Sequence, residues 1–208
     1  MEYRLDLNNL HKILEFVKNY NSKLLPVIKG RQEEDILQIY NEGIREFGEN
    51  RLSELSDHTK FLPEASFHFI APLQSRKIPE IMNSCNFIHT LHRSKEITTI
   101  NQYYQNQDIF VQINVDDDPN KSGIRINDVD GFFDKFEGFK YFPVGIMCIP
   151  SINADPKNSF SKMSKINEKL KKDFNNYKGE LSMGMSNDYK IALDYGATII
   201  RMGSKIFN

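Results

Sequence analysis

Short apolar runs alternate with helix-like segments along almost the whole chain. The first helical segment places Leu7, Leu10, Leu14 and Val17 at the three-and-four spacing of one helix face. Eight apolar runs typical of buried strands follow, at residues 24–28, 44–47, 67–70, 87–91, 109–115, 143–149, 181–185 and 198–202. Helical patterns lie between many of them, at residues 33–42, 78–85, 95–104, 129–136, 160–174 and 188–195.

This rhythm predicts a parallel sheet covered by helices. About eight strand–helix units in a chain of 208 residues is the number found in a (β/α)8 barrel. We therefore predict one α/β domain over residues 1–208, a single (β/α)8 TIM barrel with an extra N-terminal helix. An open doubly wound sheet is the competing architecture.

Two places fit this prediction poorly. Pro26 lies inside the first strand, where a ladder N–H is normally wanted. Residues 150–159 contain two prolines and several Asn and Asp residues, and they are long for a connection between a strand and a helix. The second segment is interpreted either as a surface excursion or as a mobile lid.

Composition removes several classes of function. Lys and Arg number 27 and Asp and Glu 28, so the net charge of -1 disfavours a dedicated nucleic-acid binder and gives no reason to expect a membrane surface as partner. No apolar run approaches the roughly 20 residues that span a bilayer, and the first six residues lack the apolar core of a signal peptide. Cys85 and Cys148 stand in apolar runs without a CxxC or His-pair neighbour. We predict two reduced core thiols in a cytoplasmic protein, and no metal site.

The carboxyl ends of barrel strands carry the active face of this fold, so polar residues there are the candidates for chemistry. They are Lys29, Glu49, Asn50, His68, Gln74, Asn114, Ser186, Arg201, Gly203 and Ser204.

The last two predicted strands carry the stronger signal. Ser186 is placed to cap the following helix, and Gly203 lets the backbone approach a ligand closely. Barrels commonly hold a phosphate at these two connections, on backbone N–H groups. The alternative is that Ser186 is only a helix cap and Gly203 only a turn.

Lys29 is the other notable candidate. A lysine directly after an apolar strand is open to desolvation, which frees its amine for Schiff-base formation. The alternative is a lysine whose ammonium group extends to solvent at a strand end. The sequence Lys121-Ser122-Gly123 after three aspartates is the third signal, and it is also typical of a polar turn.

Several motifs together resemble one family, the YggS/PROSC group of pyridoxal 5′-phosphate (PLP) homeostasis proteins, which have the alanine-racemase-type barrel. The matching segments occur in the family's order over nearly the whole chain: residues 27–29, 47–50, 67–75, 88–90, 112–115, 121–124, 145–147, 181–186, 201–203 and 206–207. The most specific is Leu-Ser-Met-Gly-Met-Ser at residues 181–186 with a later Arg-x-Gly.

The resemblance implies a PLP site. It implies that Lys29 holds PLP as a Schiff base, that Ser186 and the backbone around Gly203 and Ser204 hold the phosphate, and that Arg201 approaches the pyridine nitrogen. By the same resemblance, Asn50 and His68 line the pocket. Departures from the family pattern stand at Gly30-Arg31, Arg51 and Ala71, and they bear on the shape of the pocket and on affinity.

The family is regarded as a carrier or regulator of PLP without an established turnover. We therefore expect a protein of intracellular PLP homeostasis and not an enzyme, a monomer whose further partners are PLP-requiring apo-enzymes. An arginine can only donate, so it leaves the pyridine nitrogen unprotonated and the ring a weaker electron sink. We also expect the barrel to occupy all 208 residues, which would leave none for the second domain that racemases have. The alternatives are a PLP-dependent amino-acid racemase or lyase, and a phosphate-binding barrel isomerase with Glu49 or His68 as its base.

Overall fold

The computed structural model describes residues 4–207. Residues 1–3 and 208 lie outside the described residues, and the predicted domain limits and the interpretation of the first six residues extend into them. The helices are α1 Leu7–Lys18, α2 Glu33–Asn41, α3 Leu52–Phe61, α4 Ile78–Ser84, α5 Ser94–Tyr103, α6 Val129–Phe133, α7 Pro156–Asp173 and α8 Tyr189–Asp194. The strands are β1 Lys23–Pro26, β2 Glu46–Glu49, β3 Ser66–Phe69, β4 Phe87–Leu91, β5 Asp108–Asn114, β6 Ile124–Arg125, β7 Gly145–Met147, β8 Glu180–Ser182 and β9 Ile199–Met202.

Eight of these strands form a nearly closed parallel barrel. The hydrogen-bonded order is β1-β9-β8-β7-β5-β4-β3-β2, and the two-residue β6 pairs only with the end of β5. The ring closes between β1 and β2 through a bridge of Val27 with Gly48 and a hydrogen bond from Ile28 N to Gly48 O of 3.0 Å. Helices alternate with the strands, and α1 precedes them. The predicted barrel with an extra N-terminal helix is confirmed.

Pro26 explains why the closure is so short. In the parallel ladder, Leu25 pairs with Arg201 and Val27 N donates to Met202 O, so the nitrogen of Pro26 faces β2 instead of β9. A proline has no N–H to donate there, so the ladder between β1 and β2 forms only beyond it. Pro26 therefore fits strand β1, because its nitrogen lies at the seam between β1 and β2 and not in the ladder with β9.

Two apolar layers hold the barrel together. The large one lies between the sheet and the helices and includes Ile36, Phe47, Ile88 and Phe160. The small one fills the inside of the barrel with Leu25, Phe110, Val144, Met147 and Ile199. Successive residues of a strand alternate between these layers, which allows each side chain near a strand end to be assigned to the inside or the outside.

The structure adds one helix to the prediction and corrects the starts of two other elements. Helix α3 was not predicted, and β2 begins two residues later than the apolar run at residues 44–47. Helix α7 begins at Pro156 and not at Phe160, because Asp155 caps it by accepting a hydrogen bond from Lys157 N and Pro156 occupies its first turn. The segment predicted as a long loop over residues 150–159 is thus partly the first turn of α7.

The remaining predictions from composition concern membranes, metals and thiols. None of the helices within residues 4–207 combines the length and the apolar character needed to cross a bilayer. The same residues contain no cluster of three or more His, Cys, Asp or Glu side chains suited to a metal ion. Cys85 and Cys148 are buried and free, as predicted, and desolvation raises the pKa of each thiol to about 12.

Candidate functional site

The carboxyl ends of β1 and β9 lie side by side at one end of the barrel. Val27 N donates to Met202 O at 2.8 Å, and Gly203 follows directly. A Cβ atom at Gly203 would stand 3.7 Å from both the Cβ and the carbonyl oxygen of Val27. Lys29 is two residues beyond Val27, so the chain brings Lys29 and Gly203 to the same part of the barrel mouth.

Alternation along β1 assigns Lys29 to the inner side. Leu25 belongs to the apolar layer inside the barrel, and a Cβ at Gly48 would lie 3.4 Å from side-chain atoms of both Leu25 and Val27. Every second residue of a strand shares a face, so alternation predicts that Lys29, in the turn just after β1, lies on the side of this inner row. Lys29 itself is exposed.

The turn after Lys29 is tied to helix α3. Gly30 has a φ of +63°, a left-handed conformation that glycine adopts without strain, and its N–H donates to Glu54 Oε2 at 2.7 Å. Arg51 Nη1 contacts Glu54 Oε1 at 2.5 Å. The direction in which the chain leaves β1 is therefore fixed by a side chain of α3.

Ser186 and Ser204 form a set of hydrogen-bond donors beside Gly203. Ser204 Oγ donates to Ser186 Oγ at 3.1 Å, and Lys205 Nζ donates to Ser186 O at 3.3 Å. Within residues 4–207, the backbone N–H groups of Ser186, Gly203 and Ser204 have no acceptor. Free N–H groups, hydroxyl groups and an ammonium group that lie close together are the donors that bind a phosphate.

The structure contradicts one detail of the predicted phosphate site. Helix α8 begins at Tyr189 and its N-cap is Asp188, whose Oδ1 accepts from Met185 N at 2.6 Å. Ser186 is therefore not the helix cap, because it lies two residues before the N-cap position. The hydroxyl of Ser186 is left for Ser204 and for a ligand.

Arg201 lies on the inner row of β9, two residues before Gly203, and is 4% exposed. Its Nη1 donates to Ser182 Oγ at 2.7 Å and its Nη2 to Cys148 O at 2.9 Å. The other guanidinium donors have no acceptor among the residues that the structure describes. Burial lowers the pKa of Arg201, but a guanidinium stays protonated in proteins and donates only.

Asn50 lies at the end of β2, beside the closing seam of the barrel. Its Oδ1 is buried and has no hydrogen-bond partner among residues 4–207. Asn50, Ala71 and Gln74 line a groove of about 650 Å³ at the ends of β2 and β3. A buried amide oxygen without a donor is costly, so Asn50 is suited to contact a ligand.

Glu49 and His68 do not reach the barrel mouth. Glu49 is buried on the outer side of β2, where its Oε1 lies 3.0 Å from His58 Nδ1 of α3 and its Oε2 accepts from Asn50 N. His68 is buried inside the barrel, 2.9 Å from His89. Neither is placed as the base of a barrel isomerase, and His68 does not line the mouth as the resemblance implied.

Asn114 and Lys121 hold the loop after β5 together. Asn114 Nδ2 donates to the carbonyl groups of Asp118 and Lys121, and Lys121 Nζ donates to those of Ile149 and Pro150. The interpretation of residues 121–123 as a polar turn fits these contacts.

Sequence reasoning missed four polar residues that lie inside the barrel or beside Ser186. They are Glu46, His89, Ser182 and Lys205. The signal available for His89 and Ser182 was alternation, since each stands in a short, mostly apolar strand.

Comparison with known sequences supports the resemblance. Residues 7–208 match the family described as "Alanine racemase, N-terminal domain". A pyridoxal phosphate homeostasis protein of Aquifex aeolicus (strain VF5) is 31% identical over 196 residues, covering 89% of this chain and 86% of the relative. The protein of that name from Schizosaccharomyces pombe is 29% identical over 221 aligned residues, covering 97% and 93%.

Comparison with solved structures supports the fold. PipY of Synechococcus elongatus PCC7942, solved without PLP, has a TM-score of 0.88 at 24% identity and covers 97% of this chain and 99% of its own. The structure of PipY with PLP bound has a TM-score of 0.84 at 22% identity, with the same coverage. The chain therefore belongs to the alanine racemase N-terminal domain family and, within it, to the pyridoxal phosphate homeostasis proteins.

Proposed function

We propose that this protein binds PLP at the carboxyl ends of β1, β8 and β9 and acts in intracellular PLP homeostasis as a carrier of the cofactor. The observation that carries the proposal is the close approach of Val27 to Gly203. Lys29 follows Val27 by two residues, which supports a site shared by Lys29 and the donors of Ser186, Gly203 and Ser204. Relatives named for pyridoxal phosphate homeostasis support the same conclusion.

The residues at the barrel mouth fit the three reactive parts of PLP. Lys29 supplies a primary amine for the aldehyde. Ser186, Gly203 and Ser204 supply hydroxyl and N–H donors for the phosphate, and Arg201 has guanidinium donors left for the ring nitrogen. The buried Oδ1 of Asn50 offers one further polar contact. When bound, PLP supplies an electrophilic aldehyde and an electron-withdrawing ring.

Arg201 favours storage of PLP over turnover. Because a guanidinium only donates, a ring nitrogen that contacts Arg201 accepts and carries no proton. A ring without that proton withdraws electrons less strongly. The residues of this site therefore bind and orient the cofactor, and delivery of PLP to apo-enzymes is the role that we propose.

The first experiment tests Lys29. Protein mixed with PLP is expected to gain a visible absorbance band, and borohydride reduction followed by peptide mapping is expected to find the label on Lys29. Lys29→Arg keeps the charge but removes the primary amine, so the band and the label should disappear. Lys60→Arg, which makes the same change on exposed α3, is the matched control and should keep both. Label on another lysine, or unchanged absorbance in Lys29→Arg, would contradict the assignment.

The second experiment tests delivery. The PLP-loaded protein is mixed with a PLP-requiring apo-enzyme in the presence of a phosphatase that destroys free PLP. A carrier is expected to restore more of the apo-enzyme than the same amount of free PLP does. Equal restoration would leave PLP binding intact but would contradict the role in delivery.

A further inference from the structure

A row of polar side chains crosses the inside of the barrel, from its amino-terminal end to Arg201, and within residues 4–207 it is joined by hydrogen bonds except where His68 Nε2 faces Glu46. Lys23 Nζ donates to Glu46 Oε1 at 2.7 Å, and Glu46 Oε2 lies 3.3 Å from His68 Nε2. His68 Nδ1 lies 2.9 Å from His89 Nε2, and His89 Nδ1 lies 2.8 Å from Ser182 Oγ. Ser182 Oγ accepts from Arg201. We call these six residues the polar column.

The column is rigid and shielded from water along most of its length. His68, His89 and Ser182 are each 0% exposed, whereas Lys23 at the far end is largely exposed. The His68 ring stacks on Phe87 at 3.8 Å between centroids, and the His89 ring stacks on Phe110 at 4.4 Å. The planes of both imidazoles are therefore fixed by neighbouring aromatic rings.

Hydrogen-bond chemistry fixes where the protons lie. Arg201 can only donate, so Ser182 Oγ accepts from it and keeps its own proton for His89 Nδ1. His89 is then protonated on Nε2 and donates to His68 Nδ1, which leaves the proton of His68 on Nε2, toward the Glu46 carboxylate. The reverse arrangement would point an unprotonated His68 nitrogen at that carboxylate and would leave the Ser182 proton without an acceptor within residues 4–207.

Both histidines are neutral in this arrangement. Desolvation is the main cause that lowers the pKa of His68 and of His89, and for His89 the positive charge of Arg201 adds to it. The pKa of Glu46 is lowered to about 2, chiefly by His68 and further by Lys23, although partial burial opposes this. The column thus has a carboxylate at one end and a guanidinium at the other, with neutral groups between them.

We propose that His89 is a positioning residue for Arg201. His89 Nδ1 accepts a hydrogen bond from the Ser182 hydroxyl and so turns a lone pair of Ser182 Oγ toward Arg201 Nη1. The contacts of Arg201 with Ser182 Oγ and with Cys148 O then fix the plane of the guanidinium. His68 and Glu46 hold His89 in the required tautomer. The inference rests on the proposed function, because the oriented guanidinium is the group assigned to the PLP ring nitrogen.

The first test needs no PLP. Long-range 1H–15N NMR of histidine-labelled protein is expected to show two histidines as neutral, Nε2-protonated tautomers that are absent from spectra of His68→Gln or His89→Asn, respectively. Their signals should not change when the pH falls from 7.5 to 6. A proton on Nδ1 of His89, or a charged His89 at pH 7, would overturn the inference and leave the proposed PLP site untouched.

The second test measures positioning. His89→Leu removes the acceptor of the Ser182 proton, whereas an asparagine side chain carries an acceptor near the place of Nδ1. In His89→Leu and in Ser182→Ala, we expect a shifted absorption maximum of bound PLP and about tenfold weaker PLP binding, the size expected for losing a hydrogen bond to a charged group. His89→Asn should restore both toward the wild type.

The control removes a buried hydrogen bond elsewhere. Tyr177→Phe deletes the 2.6 Å contact of Tyr177 with Asn167, outside the column. It should lower stability but leave the PLP spectrum and affinity unchanged. If His89→Leu behaves like Tyr177→Phe, His89 is only structural and the inference is wrong. If the wild type binds no PLP, the proposed function fails instead, and the NMR result still decides the tautomers.

Discussion

Lys205 is a cation in direct contact with the proposed phosphate donors, and sequence reasoning did not select it. Its Nζ donates to Ser186 O at 3.3 Å and lies 5.3 Å from the ring centroid of Tyr189, so the side chain is held from two sides. A half-buried ammonium beside free N–H groups raises the affinity of such a site for a doubly charged phosphate.

Lys205→Met tests this contribution. The side chain keeps most of its length but loses its charge, so PLP binding should weaken about three- to tenfold, in line with the loss of one charge-assisted hydrogen bond. Pyridoxal has no phosphate, and its binding should not change. Equilibrium titrations with both vitamers measure this difference, and an equal loss for PLP and pyridoxal would place Lys205 away from the phosphate.

Gly30 and Arg51, two departures from the family pattern, both contact the carboxylate of Glu54. Gly30 donates to Glu54 through its N–H, and Arg51 contacts the same side chain. The pKa of Glu54 is lowered, because the hydrogen bonds from Gly30 and Arg51 outweigh its desolvation. The glycine after Lys29 is thus tied to α3, and this explains how the chain accommodates both substitutions beside Lys29.

At the scale of elements, the spacing of neighbouring strands depends on Gly145. A Cβ at Gly145 would stand 2.2 Å from Glu180 O of the neighbouring strand β8, a contact that the backbone must move to relieve. Gly145→Ala should therefore destabilise the protein by about 1–3 kcal/mol, measured by chemical denaturation.

Gly131 offers a matched control in helix α6. A Cβ there would meet no atom within 4 Å, so Gly131→Ala should raise stability by about 0.5–1 kcal/mol. If the two alanine substitutions changed stability in the same direction, the tight approach of β7 to β8 would be contradicted.

Elements with a strong local pattern could be predicted from the sequence. The three-and-four spacing marked α1, and the apolar run marked β4 with the boundaries that the structure shows. Helix α3 was missed because its buried side chains include His58, a polar residue that contacts Glu49 from another element. The start of α7 was placed too late, although Asp155 before Pro156 is a recognised start signal.

The candidate site, too, could be predicted where the order of the strands was sufficient, and not where the geometry of one turn decides. Lys29, Ser186 and Gly203 follow predicted strands and Arg201 lies at the end of one, so the barrel rule was sufficient to group them. The cap assignment of Ser186 was wrong because α8 begins at Tyr189, which places Asp188, two residues after Ser186, at the N-cap. Which side chain caps a turn depends on geometry that the spacing of residues does not specify.

At the scale of the whole molecule, the polar column joins residues from six strands that are spread along the chain. His68 and His89 meet only because β3 and β4 pair in one register, and Ser182 reaches His89 across the inside of the closed barrel. No local pattern contains this information, which is why the sequence indicated His68 as a pocket residue and gave no role to His89.

The column makes a prediction for stability against pH. Both histidines have a lowered pKa in the folded state, so the unfolded chain binds more protons below its ordinary histidine pKa of about 6.5. The stability that they contribute is complete above that pH and is lost as the pH falls below it. The slope approaches about 1.4 kcal/mol per pH unit for each histidine. The stability that the Glu46 carboxylate contributes is lost only at more acidic pH, because folding lowers its pKa from 4.5 to about 2.

Urea denaturation between pH 7.5 and 5 measures this slope. The wild type should lose stability across the range, and His89→Asn should lose it less steeply because one of the two buried imidazoles is gone. Tyr177→Phe removes a buried hydrogen bond but no histidine, so it should start from lower stability and keep the wild-type slope. Equal slopes for wild type and His89→Asn would mean that His89 takes up its proton in the folded barrel, and the neutral column would be contradicted.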